Sequence, residues 1–363
     1  MKRWLASFSF FALIFILTHA ACAQECADTT GKQHHAPLTT TLKRGINISR
    51  WWEDSRDQFP TDQDFSLIVE SGFDFIRLPV SPVWFTADNP QITQLHCDLV
   101  KLTSLGLRVI VDLHAHGAFK ERQVDASEDE AVHNIMAVWE RIAPALKDLP
   151  QDQILVETYN EPGIKTATWW SIQGQLVQQL RHLFPKNDIV ATTGPVSGTW
   201  EYAHLTAYTD PHVYYDFHFY SPMVFTHHKA PWIDSFKPGQ GYAPVVYPYD
   251  PSFEWDTSDE MVKQYAEEKW HKENMRKYAD DITKWATQNH AHVLCLEFGV
   301  YRDGNDSQSR ANWLKDTRTL MEEYHIPWAM WEYHGSFGFL DKTGHYDSST
   351  ASALGMRPVN EPQ

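Results

Sequence analysis

The sequence predicts an α/β protein, a (β/α)8 TIM barrel, and three observations lead there. Eight short apolar runs recur along the 363 residues. Most lack strict alternation, the pattern of strands buried on both faces. Amphipathic segments at helical spacing lie between them, and strand–helix repetition builds a parallel sheet. The composition, 42% hydrophobic and 21% charged, is that of a globular chain able to bury a sizeable core.

In chain order the predicted strands are GINI (45–48), FDFIRLPV (73–80), LRVIVDLH (107–114), ILVETYN (154–160), DIVAT (188–192), VYYDFHFY (213–220), HVLCLEFG (292–299) and PWAMWEY (327–333). Helices are expected over Thr61–Ser71, stopped by Gly72, then over Asp129–Leu149, Thr168–Phe184, a long charged Asp259–Asn289, and Ser307–His325. Between the sixth strand and the long helix lies an extended loop, Ser221–Asp256, with six prolines and several Trp and Tyr residues. Loops of that length in a compact domain are usually functional or disordered, and the aromatic content argues against disorder. It leaves the face where a barrel carries its chemistry, so it is expected to wall the substrate cleft.

The first residues have the build of a Sec-type signal peptide. Lys2 and Arg3 give a positive end, Phe8–Leu17 a short apolar run, and Ala21-Cys22-Ala23 a small-residue cleavage site. Residues 1–23 are therefore read as a leader cleaved after Ala23, residues 24–41 as a polar linker, and 42–363 as the barrel, in a secreted or periplasmic protein with no membrane anchor once cleaved. The chain carries 31 basic against 47 acidic residues, and Lys2 and Arg3 leave with the leader. Such an excess of negative charge repels nucleic acid and anionic membranes and suits a neutral substrate. Fifteen Trp residues suit flat ligands such as sugar rings. Cys26, Cys97 and Cys295 would remain after cleavage; an odd number cannot all pair, and Cys295 lies in an apolar run. No disulfide framework and no oligomer is expected.

In a TIM barrel the reactive groups sit at the C-terminal ends of the strands. There the sequence places Arg77, His114 with His116, Asn160 with Glu161, His218 with Tyr220, Glu297 and Trp331. Glu161 and Glu297 are far apart in the chain but open toward one cavity. Two carboxylates in different environments are the minimum needed to hydrolyse a glycosidic bond: one protonates the leaving oxygen, the other attacks the anomeric carbon or activates water. Glu157 is expected inside the barrel as a paired carboxylate, and Asp303 in solvent. Trp51 and Trp52 either stack on sugars or pack the rim.

The pieces R-G-I-N (44–47), F-I-R-L-P (75–79), D-L-H (112–114), Y-N-E-P (159–162), H-F-Y (218–220), L-E-F-G (296–299) and A-M-W (329–331) occur in one order and together resemble glycoside hydrolase family 5, the cellulase-like retaining glycosidases. The resemblance implies Glu161 as acid/base and Glu297 as nucleophile, without metal or cofactor. It implies supporting roles for Arg77, His114, Asn160, His218, Tyr220 and Trp331. The substrate would be a β-linked polysaccharide or oligosaccharide: β-1,4-glucan first, then mannan or an exo or β-1,3 mode. Two other classes remain open. His114-Ala-His116 has the spacing of a metal-dependent amidohydrolase, and an aromatic cleft also fits a non-catalytic sugar-binding barrel.

Overall fold

Eight parallel strands close on themselves in chain order: β1 (Arg44–Asn47), β2 (Phe75–Val80), β3 (Arg108–Leu113), β4 (Ile154–Glu157), β5 (Asp188–Ala191), β6 (Val213–Phe219), β7 (His292–Phe298) and β8 (Trp328–Met330). The pairing of Arg44 with Trp328 and Gly45 with Ala329 seals the barrel. The computed structural model describes residues 42–88, 91–233 and 243–359. The expected leader, linker and cleavage site lie outside the described residues.

Side-chain alternation sorts each strand between two cores. Phe75, Ile110, Leu155, Val190, Leu294 and Leu296 fill the lower barrel interior. Ile76, Leu78, Val109, Val111, Val156 and Ile189 face outward onto the helices. Above the interior apolar layer lies a polar one, Arg77, Asp112, Glu157 and Asp216, with no solvent exposure. That layer is the floor of the site.

The helices begin and end where capping chemistry dictates. α1 (Asp62–Ser71) starts at a capping box between Thr61 and Asp64 and stops at Gly72, whose φ of 100° suits glycine. α2 (Ile92–Ser104) was not singled out in the sequence, although Leu95, Leu99 and Leu102 form its buried stripe. α3 (Gly117–Asp125) follows β3, and α4 (Glu128–Leu146) opens on a Ser127 cap with three acidic residues in its first turn. α5 (Thr166–Leu183) connects β4 to β5, and α6 (Met223–Thr226) is a single turn after β6.

The expected single helix over 259–289 is two. α7 (Glu260–Glu268) ends at Lys269, which is left-handed with φ 50°, and α8 (Lys272–Asn289) starts afresh. The reason lies between them: Trp270 is buried against Tyr265, ring centroids 6.4 Å apart, and the chain turns to reach that position. α9 (Ser307–Glu323) and α10 (Ser348–Ala353) complete the shell.

The loop after β6 divides its work. Ser221, Met223, His227, Trp232 and Ile233 line the central cavity. Further on, Tyr247 is buried on the barrel exterior and donates its hydroxyl to Asp316 of α9 at 2.9 Å, while Tyr249 and Trp255 stack at 5.4 Å. The wall expected of this loop is thus made by its first part; residues 234–242 lie outside the described residues. Trp51 and Trp52 are buried packing residues, and Asp303 is an exposed partner of Lys342. Cys295 is free and buried. Cys97 is disulfide-bonded, a pairing the cysteine count left open; the other half of the bridge lies outside the described residues.

Candidate active site

Arg77 is the hub. It occupies the third position of β2, not the strand's end, and points up into the barrel. Its Nε and Nη2 donate to the two oxygens of Glu157 at 2.7 and 2.6 Å, a bidentate pair that fixes the guanidinium plane. Nη2 also lies 3.0 Å from Asp112 and donates to Asn160 Oδ1 at 2.9 Å. Nη1 donates to Glu297 Oε1 at 2.7 Å and to Asn47 Oδ1 at 3.1 Å. Burial alone would lower its pKa, but Asp112, Glu157 and Glu297 outweigh it and hold the group far above its ordinary value. Glu157 is the paired interior carboxylate the strand pattern implied.

Asn160 and Glu161 lie beyond the end of β4, where the chain turns. Tyr159 packs outward on Trp169, and Asn160 and Glu161 face the cavity. Glu161 has φ 32°, a left-handed conformation costly for a residue with a side chain and the kind of strain found at functional sites. With its oxygen held by Arg77, the Asn160 amide turns its Nδ2 toward His114 Nε2 at 3.2 Å. His114 donates from Nδ1 to Asp112 at 2.6 Å, which sets that tautomer. Burial holds His114 well below the ordinary imidazole range, so it is neutral.

A β-bulge aims the second glutamate. Phe217 pairs with Cys295, but His218 pairs with Glu297, so β7 carries one extra residue. Cys295 faces the outer core, and regular alternation would send Glu297 the same way. The bulge turns it inward instead. There Glu297 Oε2 accepts from the Tyr220 hydroxyl at 3.0 Å while Arg77 holds Oε1. His218 lies between the two glutamates: Nδ1 is 2.8 Å from Glu161 Oε1 and 3.5 Å from Glu297 Oε2. Its Nε2 is 3.0 Å from Asp216 Oδ2, an ion-pair contact outside hydrogen-bond alignment. Single atoms of Glu161, His218 and Glu297 all lie within 4.8 Å of one another.

The electrostatics of this trio are shared. Burial would lower His218, but Glu297 and Asp216 raise it well above the ordinary 6.5. Burial raises Glu161, yet the hydrogen bond and charge of His218 more than offset this, and it ends lowered. Burial also raises Glu297, and here the opposing charges of His218 and Arg77 do not fully cancel it. The proton between Glu161 and His218 therefore rests on the imidazole. The 2.8 Å contact lets it pass to Glu161 without movement of either group.

Around this centre is an open cleft of about 630 Å³. Trp331 forms one surface, stacked on His114 at 5.5 Å and 16°, and Gly299 lies so close to the Trp331 carbonyl that any Cβ would stand 2.3 Å from it. Trp200 and Trp232 line the cleft with 59% and 54% of their surface exposed, ready for apolar contact.

The eight residues to which the resemblance assigns roles come together, and His116 lines the same cleft. Others went unnoticed. Glu53 Oε1 lies 3.6 Å from the Nε2 atoms of both His114 and His116. Glu332 is buried beside Ser49, which donates to it, and burial lifts its pKa to about 7. Asp112 and Asp216 had a readable signal: Asp-x-His occurs on both β3 and β6, and two residues along a strand share a face. Glu53 with His114 and His116, and Glu161 with His218 and Glu297, have the spacing to hold a metal ion. In both groups an imidazole nitrogen is already engaged, His114 Nε2 by Asn160 and His218 Nδ1 by Glu161.

The family model for cellulases, glycosyl hydrolase family 5, matches residues 31–336. The chain belongs to this family. Among curated relatives of this cellulase-family chain, endoglucanase 3 of Fibrobacter succinogenes is 23% identical over 87% of the chain, and the chain spans about half that relative's length, 53%. Endoglucanase C of Acetivibrio thermocellus is 25% identical over 81% of the chain and 91% of its own. Among solved structures, Thermotoga maritima Cel5A in complex with cellobiose superposes with a TM-score of 0.70 at 23% identity, covering 86% of this chain and 97% of that one. The same enzyme with mannotriose gives 0.71 at 22%, covering 87% and 98%. These structures share the barrel fold.

Proposed function

We propose that the protein is an exported, retaining endo-β-glycosidase acting on β-1,4-glucan by double displacement. The observation that carries this is the pairing of Glu161 and Glu297 oxygens within 4.8 Å across an open cleft. Retaining enzymes hold their carboxyl groups about 5–5.5 Å apart, whereas inverting ones leave room for a water between them. The sugar to be attacked lies over Trp331, with its anomeric carbon toward Glu297. A Glu297 oxygen forms the bond to that carbon as the glycosidic C–O bond breaks. The proton held between His218 and Glu161 passes through Glu161 to the leaving oxygen. Glu161, now a carboxylate, takes a proton from water, whose oxygen displaces Glu297 from the glycosyl-enzyme. Arg77 and Tyr220 stabilise the departing and returning negative charge of Glu297. Asn160 has an amide hydrogen to spare for the sugar 2-hydroxyl, a bond that strengthens in the transition state.

The open cleft with exposed Trp200 and Trp232 supports attack within a chain rather than at its end. Export is supported by the leader-like N-terminus and by the Cys97 disulfide, since such bonds persist in oxidising compartments. β-Mannan is the second reading, favoured by the mannotriose complex of the Thermotoga neighbour. A panel of β-glucans and β-mannans decides. Proton NMR of early products is expected to show the β-anomer first from a β-1,4-glucan; α-anomer first rules out retention, and release from mannan alone moves the substrate.

The shifted groups also give the pH profile of kcat/KM. Glu297 must be ionised to attack, and its raised pKa keeps it protonated to a higher pH, so the acid limb lies above the ordinary glutamate value of 4.5. The proton needed by the leaving oxygen is shared with His218, whose raised pKa retains it past 6.5, so the alkaline limb lies above that value. Replacing His218 with Asn is expected to move the alkaline limb down. An unchanged limb in that variant removes His218 from proton sharing.

A further inference from the structure

Beside the catalytic cleft lies a second depression of about 330 Å³, between α6, α7 and α8. It adjoins the first: Ser221, Met223 and Tyr278 line both. We infer that this depression is a distal subsite for a sugar unit on the leaving-group side of a β-glycan, built by α7 and the start of α8. The inference rests on the catalytic roles proposed above, which set the direction. The attacked sugar sits on Trp331 and His114, near β3 and β8. The leaving portion faces Glu161 and runs toward the segments that follow β5 and β6, where the depression opens.

Its surface has the composition that sugar binding requires, apolar faces beside a few oriented polar groups. Met223 and Met261 are exposed, and thioether side chains mould to irregular apolar faces. Gln264 donates its amide to Glu268 Oε1 at 2.8 Å, which orients the side chain and leaves its carbonyl oxygen to accept from a hydroxyl. Glu268 is in turn held by Trp270 Nε1 at 2.6 Å. Lys277 lies 5.0 Å from the Tyr278 ring, and among the described residues its ammonium forms no ion pair. It is thus available as a donor at the lip.

The floor is rigid rather than incidental. The Asp259 side chain caps α7 by accepting from Met261 and Val262, and the Tyr265–Trp270 stack locks the far end against the buried layer. A neutral glycan fits this surface: one cation and one hydrogen-bonded carboxylate present no strong field of either sign.

The test compares kcat/KM across cellotriose to cellohexaose for the wild type and for Gln264→Ala/Lys277→Ala, with an aryl β-cellobioside as internal reference. Both residues are exposed, so the melting temperature should hold. Losing two hydrogen bonds to one sugar is expected to cost about tenfold on the longest oligosaccharide, with the loss fading as the chain shortens and absent on the aryl substrate. No loss at any length, or the same loss at all lengths, overturns the subsite. If the wild type turns over the aryl cellobioside, the catalytic reading stands whatever the length series shows. If it turns over no β-glucoside or β-mannoside of any length, that reading fails first.

Discussion

Glu297→Ala is expected to abolish turnover, by a factor on the order of 10⁶, the scale on which enzymes lose an attacking group. The side chain is buried and held by Arg77 at 2.7 Å and Tyr220 at 3.0 Å. Truncation leaves a space on the face of the sugar opposite the leaving oxygen. Azide fits such a space and attacks from it without needing a general base. Activity on an activated aryl glycoside should therefore return with added azide, and the product should be the α-glycosyl azide. A β-azide would place the nucleophile elsewhere. The barrel is expected to survive, because Arg77 keeps Glu157, Asp112 and Asn160 as partners.

Glu161→Ala is expected to remove the proposed proton donor, at a cost of roughly 10²–10⁴-fold. The loss depends on how badly the leaving group needs a proton. Natural glycosides and aryl glycosides with poor leaving groups should suffer the full effect. Dinitrophenyl glycosides should retain the first step and slow at the second, where water needs a base. Azide, which needs none, should accelerate that step and give the β-azide, the mirror of the result expected for Glu297→Ala. An equal loss on both substrate types would show that Glu161 positions rather than protonates.

Much of this site was legible because parallel-barrel strands advertise themselves. An inward residue at or just past a strand's C-terminal end is bound to face the cavity, which is why His218, near the end of β6, and His114 and Trp331, just past β3 and β8, were found from position alone. Other features depend on geometry that a strand pattern does not encode. Glu297 shares sequence parity with the outward Cys295, and only the bulge reconciles it with the cavity. Glu161 depends on a left-handed turn after β4. Glu53 and Glu332 lie beyond strands β1 and β8, in loops whose course no periodicity predicts. The broken helix at Trp270 has a similar cause: charge and spacing read as one continuous helix, and the demand for a buried indole overrode them. The disulfide at Cys97 stayed open because counting cysteines constrains parity without choosing partners.

The extra residue in β7 makes the proposed nucleophile a matter of phase as much as of identity. A strand has only two faces, so if β7 ran as a regular strand with its present number of residues, Glu297 would follow Cys295 outward. The carboxylate would then point at the helical shell, toward the neighbourhood of Trp313, with no counter-ion to receive it. Every chemical group of the site would still be encoded and the barrel topology would still be available, yet the reacting pair would be gone. Grafts and chimaeras across this segment must preserve the irregular pairing of Phe217 and His218 with Cys295 and Glu297 as carefully as its composition, because the phase of the strand decides which face receives the carboxylate.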